Sequence, residues 1–361
     1  MTQHILLVEP NYYSQFPPIG LLKLSTYEKQ KGNTTELVRK LESPSKKPDK
    51  IYITSLFTWA WRPVWQSVRK YKALYPEAET HLGGIYTSIL PEHAKMSGAD
   101  YIHQGVFPEA EDLLPDYSLI PKWNGSILHA SRGCKNRCIY CAVPKIEGKI
   151  NAERESIKKY VWPGHTKLIF FDNNILASCF WKRIFEELIE LKKEVDFNQG
   201  LEARLLNEES VSLISKMNIP TIRLAYDTPM VKESVKTAIE LLDKKGIDKR
   251  RIFVYTLFNY TDTPDEFFFR VRDILEWGAV CYPMRFQPCT VLKKDAYVSK
   301  NWTAKQLNMV ASARRVIGYG GAFPPYDALV NRFREATKFE DIFELYPKNG
   351  KNNLDEDENT Q

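Results

Sequence analysis

Features of membrane and secreted proteins are missing from this sequence. Among its 361 residues, no apolar run approaches the ~20 residues that a membrane-spanning helix needs. The first residues, MTQHILLVEPNYY, have neither the basic segment nor the small-residue cleavage site of a signal peptide. We therefore expect a protein that is not associated with a membrane and is located in the cytoplasm.

Concentrated charge is missing as well. The chain has 51 Lys and Arg against 45 Asp and Glu, a formal net charge of +6 that is spread along the sequence. Its densest basic run, SPSKKPDK, is short and interrupted by proline, which indicates a solvated loop. This charge permits a nucleic-acid ligand but does not indicate one.

Cysteine is scarce, yet half of it is clustered. The chain has six cysteines, and three of them, Cys134, Cys138 and Cys141, lie within eight residues. Stable disulfides are uncommon in the reducing cytosol, where close cysteines are more often metal ligands or catalytic groups. The cluster therefore predicts a chemical role rather than a cross-link.

Short apolar segments alternate with helix-like segments in the first third of the chain. Strands are predicted at Ile5–Val8, Ile51–Leu56, Glu79–Leu82 and Asp100–His103, and helices at Leu21–Lys31 and Val64–Tyr75. Strands that alternate with helices indicate a parallel, doubly wound sheet. We therefore expect a Rossmann-like α/β unit over residues 1–112, followed by a linker over 113–125.

A second series of strands and helices begins at Ser126. Its predicted strands are Ile127–Ser131, Lys167–Phe171, Val195–Asn198, Thr221–Tyr226, Ile252–Leu257 and Val280–Phe286. Its predicted helices are Ala152–Val161, Phe180–Lys193, Glu208–Met217, Lys232–Lys245 and Pro264–Trp277. Six strands are fewer than the eight of a complete (β/α)8 barrel. We therefore expect a partial (β/α)6 TIM-type barrel over 126–290.

Helix ends and the C-terminal region complete this interpretation. Asn207 and Thr263 are expected N-caps, and Gly246 and Gly278 are expected to end helices. After the barrel we expect a helical extension over 291–345, beginning with a helix near Thr303, and a disordered tail over 346–361.

The cysteine triplet directly follows the first strand of the second series, at the end where βα barrels have their active sites. A closed structural zinc site usually needs four ligands in two close pairs, and no fourth cysteine lies close in sequence. An iron–sulfur cluster on three thiolates leaves one iron open to a small molecule, and cluster potentials extend low enough to reduce an unreactive substrate. A zinc site with a distant ligand remains the alternative.

The segment CKNRCIYC resembles the C-x3-C-x-Φ-C motif of the radical S-adenosylmethionine (radical SAM) enzymes, with Tyr140 as the aromatic residue before the last cysteine. The resemblance implies a [4Fe-4S] cluster on Cys134, Cys138 and Cys141. Its remaining iron would chelate the amino and carboxylate groups of S-adenosyl-L-methionine (SAM). Electron transfer would then cleave SAM to a 5′-deoxyadenosyl radical that abstracts hydrogen from a substrate.

Polar residues at the other predicted strand ends are candidates for SAM binding. Asp172, Asn173 and Asn174 follow the second strand, where many family members hold the SAM amino group, although the commoner GGE sequence is absent. At the later strand ends, structural roles and ligand contacts are both open for four polar residues, Arg223, Asp227, Asn259 and Arg285.

The third predicted strand is followed by FNQGLEARL, with Asn198, Gln199, Glu202 and Arg204. The Arg204 guanidinium could pair bidentately with the SAM carboxylate, and Gln199 and Glu202 are further candidates for cofactor binding. Alternatively, Arg204 and Glu202 pair with each other and only stabilise the loop.

The three remaining cysteines are distant from the triplet in sequence. Cys281 and Cys289 could serve an auxiliary cluster or quench a substrate radical, but we interpret both as ordinary thiols packed in or near the barrel, since free cysteine behaves as a small hydrophobe. We interpret Cys179, at the start of a helix, in the same way.

The first unit resembles the cobalamin-binding domain that precedes the barrel in one class of radical SAM enzymes. The matching segments include ILLVEP, PPIGLLKLSTYEKQKG and HLGGIYTSILPE. The D-x-H-x-x-G motif, whose histidine would ligate cobalt, is absent after the first strand. Gly83 and Gly84 would let the backbone approach a ligand closely, but a tight turn explains them equally well. We expect a degenerate domain, with cobalamin binding as the alternative.

The sequence thus predicts a radical SAM enzyme that acts on an unidentified substrate, which could be a small molecule, a peptide or RNA. An external one-electron reductant such as flavodoxin or ferredoxin is the implied partner. The first alternative is a cobalamin-dependent radical SAM methyltransferase, and the remote alternative is a non-enzymatic zinc or nucleic-acid-binding protein.

Overall fold

Residues 2–318 and 325–343 are described by the structure, a computed structural model. The predicted tail over 346–361 lies outside these residues, as do positions 344–345 of the predicted extension. In the described residues, no helix is long and apolar enough to cross a bilayer.

The N-terminal unit alternates strands with helices, as the sequence predicts. Its strands are β1 (His4–Glu9), β2 (Thr34–Arg39), β3 (Lys50–Ser55), β4 (Glu79–Gly84) and β5 (Tyr101–Ile102). Its helices are α1 (Ile19–Gln30), α2 (Trp61–Leu74), α3 (Ile85–Ile89), α4 (Pro91–Lys95) and α5 (Pro108–Glu111). The strands form one parallel sheet in the order β2-β1-β3-β4-β5.

Both faces of this sheet are buried, because successive side chains of β1 point to opposite sides. Ile5 and Leu7 pack with Leu21 of α1, whereas Leu6 and Val8 belong to the core that includes Val64 and Val68 of α2. The expected doubly wound, Rossmann-like sheet is therefore confirmed. Strand β2 was not predicted, because this edge strand, TTELVR, is mostly polar and has one buried residue, Val38.

The second unit contains the six predicted strands at nearly the predicted positions. They are β6 (Gly125–Leu128), β7 (Lys167–Phe170), β8 (Glu194–Phe197), β9 (Ile222–Ala225), β10 (Ile252–Phe258) and β11 (Val280–Arg285). The helices between and after them are α6 (Val143–Ile146), α7 (Trp181–Leu191), α8 (Glu208–Ile214), α9 (Lys232–Lys244), α10 (Pro264–Glu276), α11 (Ala304–Gly318), α12 (Tyr326–Glu335) and α13 (Phe339–Phe343).

These strands form two parallel three-stranded sheets, β6-β7-β8 and β9-β10-β11, rather than one continuous ladder. Between β8 and β9, the Leu201 amide donates to the Arg223 carbonyl at 2.8 Å, and the Arg223 side chain pairs with Asp196. The two sheets share one hydrophobic core with the surrounding helices. The α/β barrel-type architecture is therefore present, with its hydrogen bonding interrupted between β8 and β9.

Both predicted helix caps are present. Asn207 is the N-cap of α8 and Thr263 is the N-cap of α10, and each forms a reciprocal capping box with the residue three positions later. Gly246 and Gly278 follow α9 and α10 and have positive φ angles of 81° and 89°. This left-handed conformation commonly ends helices, and glycine adopts it without steric strain.

The predicted helix over Ala152–Val161 is wrong. Ala152 has a left-handed backbone with φ of 47°, and only a short 3₁₀ turn forms, at Lys158–Tyr160. The segment instead runs beside the loop that follows β6. Arg132 and Asn151 exchange two backbone hydrogen bonds of 2.9 Å, and the Arg154 amide donates to the Ala130 carbonyl. Tertiary backbone pairing thus outweighs local helix propensity.

Candidate active site

The cysteine loop begins with a glycine that no other residue could replace without strain. Gly133 has φ of 72°, and a Cβ built on it would lie 2.1 Å from the carbonyl oxygen of Lys149. The Cys134 amide donates to the Gly148 carbonyl at 3.2 Å. The returning chain therefore packs directly against the start of the loop, which is possible because Gly133 has no side chain.

Glu147, at the end of α6, holds this loop in place. Its carboxylate accepts hydrogen bonds from the Gly133 amide at 2.8 Å, the Asn173 side chain at 3.0 Å and the Arg132 guanidinium at 3.2 Å. Arg132 in turn forms a bidentate pair with Glu111 of the N-terminal unit at 2.8 and 2.9 Å. The ion pairs thus connect the cysteine loop to both units.

Two further side chains of the loop bond to the carboxyl ends of later strands. Asn136 Nδ2 donates to Glu202 Oε2 at 2.7 Å, and the Tyr140 hydroxyl donates to Asp227 Oδ2 at 2.9 Å. Glu202 follows β8 and Asp227 follows β9. The loop therefore lies across the end of the barrel where both three-stranded sheets terminate.

The cysteine sulfurs lie in a backbone environment suited to thiolates. The Asn136 amide donates to Cys134 Sγ and the Val143 amide donates to Cys141 Sγ, each at 3.4 Å. Such hydrogen bonds stabilise negative sulfur and tune cluster potentials. Burial, together with the neighbouring thiols of Cys138, Cys134 and Cys289, raises the pKa of Cys141, a shift that metal binding would reverse.

The thiols are not already arranged around a single metal ion. Within residues 2–318 and 325–343, no three His, Cys, Asp or Glu side chains form a ready metal site. The cysteines are nevertheless on one short loop, with a turn in which the Cys141 amide donates to the Cys138 carbonyl at 3.0 Å. Three thiols on one loop are a donor set suited to an iron–sulfur cluster, once the side chains rotate toward it.

Asn174 has an unused polar atom next to the triplet. Its side chain is 3% exposed, its Nδ2 lies 3.8 Å from Cys134 Sγ, and its buried Oδ1 has no hydrogen-bond partner in the described part of the chain. An unpaired buried carbonyl oxygen is costly unless a ligand donates to it. This atom therefore fits an amino group bound beside Cys134.

Its two neighbours already have protein partners. Asp172 accepts from the Ala130 amide at 2.9 Å and from the Ser131 amide at 2.6 Å, so it orients the chain that leads from β6 into the cysteine loop. Burial raises the pKa of Asp172 to about 6, because its effect is larger than that of these hydrogen bonds, which lower the pKa. Asn173 bonds to Glu147, as described above. A direct cofactor contact for either residue remains a prediction.

Arg204 and Glu202 adopt the arrangement that the sequence left as an alternative. Arg204 Nε and Nη2 donate to the two Glu202 oxygens at 2.8 and 2.7 Å. Burial would raise the pKa of Glu202, but Arg204 and Asn136 together hold it below its ordinary value. The pair does more than stabilise its own loop, because Glu202 also binds the cysteine loop. Gln199 is exposed and contacts the Asn198 side chain at 3.1 Å.

The side chains of three further strand-end candidates form hydrogen bonds or ion pairs with other residues of the protein. Arg223 pairs with Asp196, and Asn259 Nδ2 donates to the Phe286 and Tyr297 carbonyls at 3.1 and 3.0 Å. Arg285 donates to the Asp295 and Tyr297 carbonyls at 2.7 and 3.1 Å. Asn259 and Arg285 therefore organise the segment that follows β11.

Several residues of the site were not identified from sequence. Asn136, Glu147, Glu111 and Arg132 act through contacts between distant segments, for which the sequence has no local signal. His129, five residues before Cys134, was also passed over. It is buried, and burial together with the charges of Arg132, Lys23 and Arg154 lowers its pKa well below the ordinary value.

The glycines and the first loop of the N-terminal sheet bear on whether this unit binds cobalamin. A Cβ on Gly84 would lie 2.1 Å from the Ser55 carbonyl oxygen, so this glycine is explained by the close approach of β3 and needs no ligand. Ser55 Oγ donates to the Gly83 carbonyl at 2.8 Å. The loop after β1 contains no histidine. A cobalt-bound histidine from that loop is therefore excluded, but cobalamin bound without it is compatible with the fold.

Comparison with curated proteins finds a short match. Ribosomal protein uS12 methylthiotransferase RimO from two strains of Helicobacter pylori is 30% identical over 121 residues, which cover 29% of this chain and 28% of the relative. The match thus spans less than a third of that protein. No protein-family model matches the chain.

Solved structures match over most of the chain. One is the radical S-adenosylmethionine methyltransferase TsrM from Kitasatospora setae with cobalamin and a [4Fe-4S] cluster bound, with a TM-score of 0.60, 15% identity, and 81% of this chain and 77% of that chain covered. The same enzyme with tryptophan substrate and the SAM analogue aza-SAM bound has a TM-score of 0.59 and 14% identity, with 80% and 75% of the chains covered. These matches confirm the expected fold.

Proposed function

We propose that this chain, which has the fold of the radical SAM enzymes with an N-terminal cobalamin-binding-like domain, is itself a radical SAM enzyme. In this proposal Cys134, Cys138 and Cys141 hold a [4Fe-4S] cluster at the end of the barrel. The observation that supports it most directly is the coincidence of a three-thiol loop with an unpaired, buried Asn174 oxygen beside Cys134.

In this proposal, different residues of the site bind the cluster and SAM. The Asn136 and Val143 amides would stabilise the thiolates of Cys134 and Cys141, and Asn174 Oδ1 would accept a hydrogen bond from the SAM amino group. When bound, the reduced cluster would supply the electron that cleaves SAM to methionine and a 5′-deoxyadenosyl radical.

The loop would be kept in position by contacts that reach both sheets. Tyr140 would fix it to Asp227, and Asn136 would fix it to Glu202. Arg204 is 48% exposed, so its guanidinium could reorient from Glu202 toward a carboxylate ligand. Gln199, Asp172 and Asn173 complete the proposed cofactor-binding set, with Asp172 and Asn173 acting through the backbone and Glu147.

A second candidate is cobalamin-dependent methyl transfer. It is supported by the likeness to a cobalamin-bound radical SAM methyltransferase, which extends over 81% of this chain, together with the complete five-stranded parallel sheet. The match to a methylthiotransferase supports radical SAM chemistry without deciding between these outcomes. Retention of a corrinoid spectrum after desalting would support methyl transfer, whereas a cluster spectrum alone would argue against it.

The partners follow from the proposed chemistry. An external one-electron donor such as flavodoxin or ferredoxin would reduce the cluster, and the substrate would be a small molecule, a peptide or RNA. The non-enzymatic zinc alternative requires a fourth metal ligand besides the three thiols, and metal analysis of the purified protein distinguishes it from the cluster.

The test is SAM cleavage by protein reconstituted anaerobically with iron and sulfide. Wild type should turn brown and release 5′-deoxyadenosine from SAM in the presence of a strong reductant, even slowly and without substrate. The variant Cys138→Ala should lose both properties, and Cys179→Ala, which alters an exposed cysteine, should keep them. A colourless wild type, or zinc bound in its place, would contradict the proposal.

A further inference from the structure

The structure places a fourth cysteine, Cys289, in contact with the cysteine loop. Cys289 follows β11 and is distant from the triplet in sequence, yet its S–H group points to the Tyr140 carbonyl with an S···O distance of 3.8 Å. Tyr140 directly precedes Cys141 in the chain. Cys289 therefore lies at the loop that would hold the cluster.

A firmly anchored turn fixes the position of Cys289. The Val291 amide donates to the Pro288 carbonyl at 3.1 Å and closes the turn around Cys289. Thr58 Oγ1 of the N-terminal unit donates to the Val291 carbonyl at 2.6 Å, and Trp61 Nε1 donates to the Leu292 carbonyl at 3.2 Å. Side chains of the N-terminal unit thus hold the turn next to the cysteine loop.

The other two cysteines outside the triplet have different environments. Cys281 is fully buried in the barrel core next to Thr256, at 3.5 Å, and burial raises the pKa of its thiol to about 12. Cys179 is exposed beside Glu153, whose carboxylate accepts from the Cys179 amide. The interpretation of all three as ordinary thiols stays a prediction, but Cys289 differs from the other two because it contacts the cysteine loop.

We propose that Cys289 is the fourth thiolate ligand of the [4Fe-4S] cluster in the absence of SAM. This inference rests on the proposed function, because it assumes that the triplet holds a cluster with one iron left open. Cys289 is half-buried and its sulfur contacts the backbone of the loop that would hold the cluster, which makes it the candidate for the open position. The unpaired Asn174 oxygen independently indicates that a ligand binds beside Cys134, the first thiol of the triplet.

The proposed step is a ligand substitution without electron transfer. Cys289 would lose its thiol proton to solvent and bind the open iron as a thiolate, with no change of oxidation state. The amino and carboxylate groups of SAM would replace this thiolate, which would take up a proton again. Cys289 would thereby protect the resting cluster from losing an iron and would set a threshold SAM concentration for activation.

The test is the stability of the reconstituted cluster toward mild oxidation with ferricyanide, without SAM. A cluster on three thiolates loses its open iron and gives the EPR signal of a three-iron cluster. We expect Cys289→Ala to give several-fold more of this signal than wild type, and Cys179→Ala to match wild type. The apparent SAM affinity of Cys289→Ala, measured from the change in the EPR spectrum of the reduced cluster, should also rise several-fold.

Equal yields of the three-iron signal from wild type and Cys289→Ala would overturn the inference. If Cys289→Ala bound no cluster although its circular dichroism spectrum were unchanged, Cys289→Ser should restore partial binding, because a serine oxygen is a weaker ligand in the same place. A Cys289→Ser variant that also bound no cluster would contradict ligation by this residue. Continued cleavage of SAM by Cys289→Ala would leave the proposed function intact, whereas a wild type without any cluster would contradict the proposed function itself.

Discussion

The Tyr140 hydroxyl donates a hydrogen bond of 2.9 Å to Asp227 Oδ2. Tyr140 belongs to the loop that leaves β6, in one three-stranded sheet, whereas Asp227 follows β9 in the other. Asp227 is also fixed by the Leu257 amide, which donates to its other oxygen at 3.1 Å. This hydrogen bond thus connects the cysteine loop, which follows the first sheet, to the second sheet, although strand pairing is interrupted between the two sheets.

Removing this hydrogen bond should loosen the cysteine loop. Tyr140→Phe leaves the largely buried Asp227 carboxylate without one of its donors, so we expect the free energy of unfolding of the apo protein to fall by about 1–3 kcal/mol. Urea unfolding measures this change. Tyr260→Phe is the control, since the Tyr260 ring packs against Tyr140 but its hydroxyl has no hydrogen bond in the described structure. Equal losses in the two variants would mean that the bond to Asp227 is unimportant.

Gly133 should tolerate no side chain. Gly133→Ala would place its Cβ 2.1 Å from the Lys149 carbonyl oxygen, in addition to the strain of a positive φ. Gly148→Ala is a matched control, because Gly148 has φ of 75° and open space around its Cβ position. We expect Gly148→Ala to cost about 1–2 kcal/mol in thermal or urea unfolding, and Gly133→Ala to cost more and to lose the cluster after reconstitution. Similar behaviour of the two variants would contradict the packing argument.

Asn174 should affect SAM binding more than cluster binding. Asn174→Ala removes the unpaired Oδ1, so we expect wild-type iron content but roughly tenfold weaker SAM binding, about the worth of one hydrogen bond in a buried site. Equilibrium dialysis with reconstituted protein measures the affinity. Asn308→Ala should leave the affinity unchanged, because Asn308 is an exposed residue of α11 outside the proposed binding set. An Asn174→Ala variant that binds SAM as tightly as wild type would contradict the role that we assign to its Oδ1.

Glu111 should make the protein sensitive to acid. Burial would raise the pKa of Glu111, but hydrogen bonds and charges of Arg132 and Lys23 outweigh it and hold this pKa at about 2, below the ordinary value of 4.5. Because the pKa of Glu111 is lower in the folded than in the unfolded protein, its ionised carboxylate stabilises the fold at pH values above about 4.5. This contribution to stability is lost as the pH falls from about 4.5 to about 2. The loss would be at most ~3 kcal/mol.

Urea unfolding between neutral pH and pH values in that acid range tests this expectation. The variant Glu111→Gln should have lower stability at neutral pH and a flatter profile through the acid range. The exposed Glu240 of α9 offers a control, and Glu240→Gln should keep the wild-type profile. A Glu111→Gln profile as steep as that of wild type would show that other carboxylates determine the acid sensitivity.

Much of the fold could be predicted because strands and helices have local signals. The buried runs of β1, β3 and β6–β11 and the capping boxes at Asn207 and Thr263 depend on neighbouring residues in the chain. The errors occurred where distant segments decide the structure. Residues 152–161 pair with the loop after β6 instead of forming a helix, and β2 is an edge strand with little hydrophobic pattern.

The candidate site divides in the same way. By itself, the sequence determined the cysteine spacing, the aromatic position of Tyr140 and the place of the triplet after a strand, because all three are set by residues adjacent in the chain. Only the tertiary structure decided that Asn174 has an unpaired oxygen beside Cys134, that Glu202 and Asp227 hold the loop, and that Cys289 contacts the loop. The physical reason is that a parallel fold brings the ends of separate strands to one edge, and no local pattern specifies which side chains meet there.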